Sequence, residues 1–497
     1  MVLDPRGVAL APQYCLQKAR RSFDSMPPHA AISRYSGDAW FGVPIAVANK
    51  LARLRHLDII SHEGDRVVLH VPAAQRPELH ELLDLNATLE VEDVAAALAA
   101  SFQPWRAQRA RALAASEWEN WFQDWHPLSE IEDKLEKLAV QFGGRATLIT
   151  LGTSAHGRPI RALHVGVGEP YEIVVNGCIH AREWIAASTV IYVAEWLLRN
   201  STNSGLAWTL IPVLNVDGYE YTWTTDRLWR KNRQETPGCM GIDLNRNADI
   251  AWAGSDDCDQ LFPGKTPLDA VETRVLRSFL QTRSVRGRLV TFFDLHSAAQ
   301  MVLSPYAYTM EPPLAEDSLR LARVAIADAM NQVARQSHRS SYHKGRAATT
   351  IYQVPGCIFD DAHANLHVPF SFAIELRGHH HFQQPAILAL QCGKELTAGF
   401  LAFLPMLNTS SHFGVWALAR SPKVLDSLEV LVQKNVLLVG CLLFLLLFLA
   451  ACCISQRRGR LQQTSPADVD MEELGTNYLT YETDDDVHGL LREARHG

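Results

Sequence analysis

The chain has 497 residues, 47% of them apolar, and a formal net charge of −7. That length and apolar content allow two or three domains around a sizeable core. The acidic balance, with no long basic run in the globular part, gives no basis for nucleic-acid binding. Nine cysteines without a CxxC pair speak against a disulfide scaffold, a zinc ribbon or a redox dithiol.

Residues 1–37 carry no firm periodicity. From about Asp38 to Phe102 the pattern predicts a small α/β unit: "PIAVANKLARL" as helix, "DRVVLHVP" as strand, "PELHELLDL" as helix, "ATLEVED" as strand and "VAAALAASF" as helix. The stretch that follows, "QPWRAQRARALAAS", is basic and has no apolar stripe to fix it to a core. From Glu117 to Leu407 strand-like and helix-like segments alternate. "EIVVNG", "TLIPVLN", "RLVTFFDLHS" and "PFSFAIEL" are short apolar runs of the kind buried central strands show. "WIAASTVIYVAEWLLRN", "DAVETRVLRSFLQTR", "DSLRLARVAIADAMNQVARQ" and "PAILALQCGKELTAGFLAFL" recur in apolar residues at helical spacing. Interleaving of this sort predicts an α/β layer with helices on both faces of the sheet.

After Asn408 a stalk leads to Val436–Ile454, nineteen residues without a charge, about enough to cross ~30 Å of hydrocarbon as one helix. Arg457, Arg458 and Arg460 follow it, against Lys434 alone close before it. By the positive-inside bias the polar, acidic tail is cytosolic and the large N-terminal part is lumenal or extracellular. The first twenty residues lack an apolar signal core. Either the start is incomplete or the membrane segment directs its own insertion. Sequons at Asn86, Asn200 and Asn408 all precede the membrane segment. "DVHGLL", Asp486–Leu491, fits an acidic dileucine sorting signal for endosomes or lysosomes, and equally an ordinary amphipathic stretch.

The chemistry concentrates at strand ends. His180 follows the run "YEIVV" and Glu183 stands three residues on, where a helix opens, so both can point out of a strand's C-terminal end. An imidazole and a carboxylate suit Zn²⁺, and a catalytic site takes a third ligand while leaving a position open. His296, at the end of "FFDLH", is the third candidate. Glu375 sits in the apolar strand "PFSFAIELR" and reads either as a general base or as a buried partner of Arg377. Arg227, Arg230, Arg233, Asn245 and Arg246 lie within one stretch, where guanidinium forks could hold a carboxylate or an oxyanion.

Together "GCIHAREW", "NVDGYEYTWTTDRLWRKNR", "GIDLNRN", "DLHS", "TTIYQ" and "FAIELR" resemble, in order and spacing, the zinc metallocarboxypeptidases of the pancreatic carboxypeptidase A and B type. The resemblance covers about Glu117–Leu407. It implies a mixed central β-sheet flanked by helices, and a peptidase that removes single C-terminal residues with one Zn²⁺ per chain. His180, Glu183 and His296 match the zinc ligands, and Glu375 matches the glutamate that activates a zinc-held water. Arg230 matches the residue that polarises the scissile carbonyl. Asn245 and Arg246 match the pair that holds the substrate's terminal carboxylate, and Tyr352 the tyrosine that closes over it. Arg182 matches a residue lining the next subsite, and Cys239 and Cys258 match a disulfide pair. The unit before it resembles that family's activation prodomain, with Arg106, Arg109 and Arg111 in a linker open to a trypsin-like protease.

The organisation expected is thus an N-terminal segment (1–37), a prodomain (38–104), a basic linker (105–116), a catalytic domain (117–407), a stalk (408–435), one membrane helix (436–454) and a cytosolic tail (455–497). The partners are peptide or protein C-termini, the membrane and an activating protease. Three departures stand out. Ala298 follows His296 closely where the family has a tyrosine, Ala248 follows "NRN" where an aromatic is usual, and the span from Tyr352 to Glu375 is one residue longer than usual. Depending on where that residue falls, Phe359 or Asp360 takes the base of the specificity pocket, favouring apolar or basic termini respectively. Ala307, Ala347 and Ala373 make the pocket roomy either way.

Overall fold

The computed structural model describes residues 29–44, 58–63, 66–76, 87–101, 117–200, 205–255, 258–337, 341–378 and 384–409. The expected helices within 45–57 and 77–86 lie outside them, as do the linker, the stalk from residue 410 on, the expected membrane segment, the tail and the sequon Asn86.

The N-terminal unit comprises α1 (His29–Ser33), β1 (Ala39–Pro44), β2 (Asp58–Glu63), β3 (Arg66–Val71), β4 (Thr88–Val91) and α2 (Val94–Ser101). Its strands form an antiparallel sheet in the order β2-β3-β1-β4. Asp93 accepts the Ala96 amide at 3.0 Å and starts α2. Val94 and Leu98 then pack on Trp40 and Val68. β3, β4 and α2 fall where the sequence predicts them, whereas α1, β1 and β2 are not among the predicted elements. α1 precedes residue 38, and Tyr35 beside it belongs to the same apolar cluster. The ordered unit therefore starts earlier than composition indicates, because one short helix and a single aromatic give no periodic signal.

The large unit continues with α3 (Leu128–Gln141), β5 (Ala146–Thr153), β6 (Pro159–Val165), β7 (Tyr171–Gly177), α4 (Trp184–Asn200), β8 (Leu206–Ile211) and α5 (Val216–Thr224). After a two-residue hairpin pair, β9 (Glu235–Thr236) and β10 (Cys239–Met240), come α6 (Val271–Val285), β11 (Leu289–Ser297) and β12 (Met301–Ser304). α7 (Glu316–Ser337), β13 (His343–Arg346), α8 (Ala347–Thr350), α9 (Ile358–Ala364), β14 (Phe370–Leu376) and α10 (Ile387–Thr409) complete it. Eight strands form one sheet in the order β13-β12-β14-β11-β7-β8-β6-β5. The centre, β14-β11-β7-β8, is parallel, and antiparallel pairings flank it, so the sheet is mixed. Every residue of β11 is buried, which is why it reads as one apolar run. β5 is largely accessible beyond Ala146, and β6 mixes buried and half-buried positions. Their mixed polarity kept them from standing out in the sequence.

α4 is buried nearly all round, as a helix lodged in a large core should be. α10 crosses the sheet, and its Phe400 stacks obliquely on Phe293 with centroids 4.6 Å apart. Among the described residues this is the one helix long and apolar enough to span a membrane, yet it is mostly buried in the protein. It is a core helix, distinct from the span expected at 436–454. Its one deep charge, Glu395, accepts from Arg377 at 2.5 Å and from the Tyr342 hydroxyl at 2.8 Å. Both ion-pair side chains are 1% exposed. Arg377 thus pairs with Glu395, which leaves Glu375 without that competing role.

Removing one partner of such a pair strands the other charge. Glu395→Ala is expected to destabilise the fold by about 3–5 kcal/mol in urea denaturation. A loss below about 1 kcal/mol would show that the pair is not holding α10 to the sheet.

Candidate metal centre

Parallel strands end together, and the site forms where β7, β11 and β14 end. Gly177 closes β7, and a Cβ there would stand 2.8 Å from the Pro212 carbonyl oxygen. Only glycine lets the strand end pass so close to that carbonyl on the way to His180. The turn brings Glu183 back on His180, with Oε1 2.8 Å from Nδ1. α4 then begins at Trp184, where the apolar recurrence predicts it. From β11, Nδ1 of His296 reaches 3.2 Å from Nδ1 of His180 and 3.3 Å from Oε2 of Glu183. His296 lies directly opposite Glu375 on β14 in the parallel register.

Each histidine has a carboxylate behind it. Nε2 of His180 lies 3.2 Å from Asp243 Oδ1, and Nε2 of His296 lies 3.0 Å from Asp294 Oδ2. A proton on Nε2 satisfies each carboxylate, which turns both Nδ1 lone pairs inward. Two imidazole nitrogens and a carboxylate then converge, all within 4.8 Å and all buried. Three lone-pair donors so placed repel one another unless a cation lies among them. Ligands at roughly 2.0–2.1 Å on a tetrahedral centre stand about 3.3 Å apart, close to the spacing of the two nitrogens. The donor set fits Zn²⁺.

The electrostatics divide the two carboxyl groups. Burial alone would raise Glu183, but His180 and His296 hold it well below the usual carboxylate range. For Glu375 burial outweighs the attraction of His296 and pushes it up to about 7. One acid stays charged and the other is poised to exchange a proton.

Asp243 ties in the rest. Oδ2 accepts from Nε and an Nη of Arg230 at 3.1 and 2.9 Å, and Oδ1 accepts the Asn245 amide at 3.0 Å. Arg246 stands 3.9 Å from the same carboxylate and hydrogen-bonds Tyr352. Burial works against a charge on Asp243, yet Arg230, Arg246 and His180 keep it well below the usual range. Arg230, Asn245 and Arg246 therefore gather around Asp243, with Tyr352 bonded to Arg246. Asp243 and Asp294 were missed there, although "DLH" carries a signal. In a strand, residues two apart face the same way.

Arg182 is buried rather than open to a cleft. Its guanidinium donates to the Leu228 carbonyl, and Leu228 packs into the cluster of the N-terminal unit. Arg34 and the Tyr35 hydroxyl both bond Asp226, and the Arg227 amide reaches the Ala31 carbonyl at 3.3 Å. The N-terminal unit thus sits on the loop that runs through Leu228 to Arg230. Cys239 and Cys258 form a disulfide. Ala347 is buried, and Phe359 belongs to the main core. Asp360 is fully buried, and its Oδ2 accepts the Ala307 and Tyr308 amides at 2.7 and 3.2 Å. Its Oδ1 has no hydrogen-bond partner.

Residues 131–397 match the zinc carboxypeptidase family. A fungal relative from Arthroderma otae, Metallocarboxypeptidase A, is 33% identical over 69% of this chain and 84% of its own. Another, from Uncinocarpus reesii, is 32% identical over 67% of this chain and is named Inactive metallocarboxypeptidase ECM14. The chain spans 63% of that relative's length. The crystal structure of carboxypeptidase A from Helicoverpa armigera superposes with a TM-score of 0.68 at 26% identity, over 76% of this chain and 99% of that one.

A carboxylate behind a ligating histidine typically contributes 10- to 100-fold in metal affinity. Asp243→Ala and Asp294→Ala should each weaken zinc retention by about that factor in competition with a chelator. Retention equal to the parent protein's would remove both from the support of the site.

Proposed function

The chain belongs to the zinc carboxypeptidase family, and on that premise we propose that it is an active peptidase removing single residues from peptide C-termini. One observation carries this most: a carboxyl group raised to about 7, Glu375, lies in register opposite His296, beside a complete three-donor metal cluster. Zinc held by His180, Glu183 and His296 supplies Lewis acidity to a carbonyl and a water. Glu375 takes the proton of the attacking water and returns it to the leaving amine. Arg230, aligned by Asp243, meets charge developing on the carbonyl oxygen. Asn245 and Arg246 hold the terminal carboxylate with Tyr352 beside them, which restricts cleavage to chain ends. The name of the Uncinocarpus relative raises a binding role without cleavage. The presence of Glu375 and Arg230 here favours turnover.

Asp360 supports a preference for terminal Lys or Arg. Burial, opposed by the amides of Ala307 and Tyr308, pushes it up to about 7, and its Oδ1 has no hydrogen-bond partner. A cationic guest would compensate the buried charge. The N-terminal unit acts as a prodomain whose seat on the 226–230 loop keeps Arg182 covered until the linker at 105–116 is cut. The large unit faces the lumen or exterior, anchored by the apolar segment 436–454.

The full chain, trypsin-treated and zinc-supplied, should release the last residue from free but not amidated peptides. Glu375→Gln should lower kcat by at least about 100-fold. Continued release by that variant would overturn the assignment of the base. Asp360→Asn should cut kcat/KM on the order of 100-fold for Arg-ended peptides while sparing Phe-ended ones. Asp360 is neutral below about 7 and charged above it. The Arg-to-Phe preference should therefore fall as pH drops through that value. A pH-independent preference would shift the pocket floor to Phe359.

A further inference from the structure

The two edges of the large sheet are built differently. At one, β13 is four residues long and carries His343, Lys344 and Arg346, the shortness and charge that keep an edge from pairing further. At the other, β5 runs for eight residues, ATLITLGT, with no charged residue and no proline. Among the described residues it pairs with β6 alone. Its one irregularity is a register shift against β6 between Thr150 and Gly152. Thr147, Thr150 and Thr153 are exposed, and Leu148, Ile149 and Leu151 are half-buried.

A groove of about 540 Å³ lies between Leu151 and one flank of α6, inside the roughly 300–1,000 Å³ span of ligand clefts. Val271, Val275 and Phe279, one helical turn apart, form its apolar wall, with Arg274 and Arg283 alongside. α6 packs directly on the strand, since a Cβ on Gly152 would stand 2.9 Å from Val275 Cγ2. The helix is basic. From Val271 to Arg286 its acid is Glu272, wholly buried, against Arg274, Arg277, Arg283 and Arg286. Arg277 and Arg283 meet Asp361 and Glu172 at 2.8 and 3.1 Å. Arg274 donates to the carbonyls of Leu268 and Asp269, which carry no formal charge to offset its own.

We propose that β5 and this flank of α6 dock an extended segment of a partner protein, acidic and apolar in alternation on one face, which adds to the sheet as a further strand. A backbone laid along β5 bonds the outward amides and carbonyls of the edge, and every second side chain falls on the α6 side. Arg274 and Arg283 are nine residues apart, roughly 13.5 Å along a helix. Residues i and i+4 of a strand span about the same distance. Acids at those two positions meet the arginines, and an apolar residue at i+2 meets Val275 and Phe279. A second copy of this chain fits worse. The two-fold axis that pairs β5 with itself antiparallel stands perpendicular to the sheet, so it sets α6 beside α6 and arginine beside arginine.

The test uses the full chain and a labelled, C-terminally amidated peptide, Thr-Val-Thr-Glu-Thr-Val-Thr-Glu-Thr-Val-Thr. Its control has proline at each threonine, which keeps charge and apolar groups but removes the ladder donors. The first peptide should bind saturably in fluorescence anisotropy and slow amide hydrogen exchange over 146–153, and the control should do neither. Ser278 is exposed on the groove lining. Ser278→Glu should weaken binding by at least about tenfold and Ser278→Lys should strengthen it. If Ser278→Glu does not fold, Thr282→Glu on the same lining carries the same expectation. No saturable binding up to about 1 mM, equal binding of the proline control, or unchanged exchange over 146–153 overturns the proposal. Concentration-dependent dimers in sedimentation that Leu151→Lys abolishes would give the edge to a second copy and overturn the partner segment.

Discussion

The site hangs on one buried carboxylate. Asp243 accepts from His180, from both arms of Arg230 and from the Asn245 backbone, with Arg246 close by. One side chain thereby sets the tautomer of a metal-facing histidine and the aim of two guanidinium groups. An anion without solvent is costly unless such partners surround it. Here the compensation and the positioning are the same contacts. Any change that displaced Asp243 would move the metal end and the carboxylate-holding end of the cleft together.

Backbone links reinforce this coupling. The Arg230 carbonyl accepts the Ala181 amide at 3.0 Å, which joins the arginine loop to the turn that carries His180 and Glu183. The Asn215 side chain, capping α5, also donates to the carbonyls of Ile179 and Arg230, at 3.2 and 3.4 Å. Further along the same loop, Arg227 lies flat on Trp184 at 3.7 Å and donates to the Arg182 carbonyl. Trp184 stacks in turn on Trp223, with centroids 4.2 Å apart. The loop that receives Arg34 and Tyr35 of the N-terminal unit is therefore packed on the helix that follows Glu183.

Two carboxyl groups in one cleft serve opposite ends because their surroundings differ. Glu183 lies between two imidazoles and stays charged, whereas Glu375 projects from an apolar strand and holds its proton near neutrality. Asp360, at the far side, is raised by the same desolvation with only two amides to offset it. Burial is common to all three: hydrogen bonds from two imidazoles hold Glu183 down, neighbouring carboxylates add to the effect of burial at Glu375, and two backbone amides only partly offset it at Asp360.

Much of this was legible in the linear chain. Unbroken apolar runs marked β7, β11 and β14 because strands buried on both faces have no polar side to interrupt them. The polar residues that end those runs, His180, His296 and Glu375, stood out for the same reason. The half-exposed β5 and β6 carried no such contrast and were not seen. Nor was α1, too short for a period to register. Asp243 and Asp294 act through contacts across 63 residues and two residues respectively. Only the second had a readable spacing. The burial of Arg182 beneath Leu228 and the pairing of Arg377 with Glu395 were decided by tertiary structure alone. Each joins segments distant in the chain or across a turn, and no local pattern of polarity records which buried group a charged or amide side chain will find.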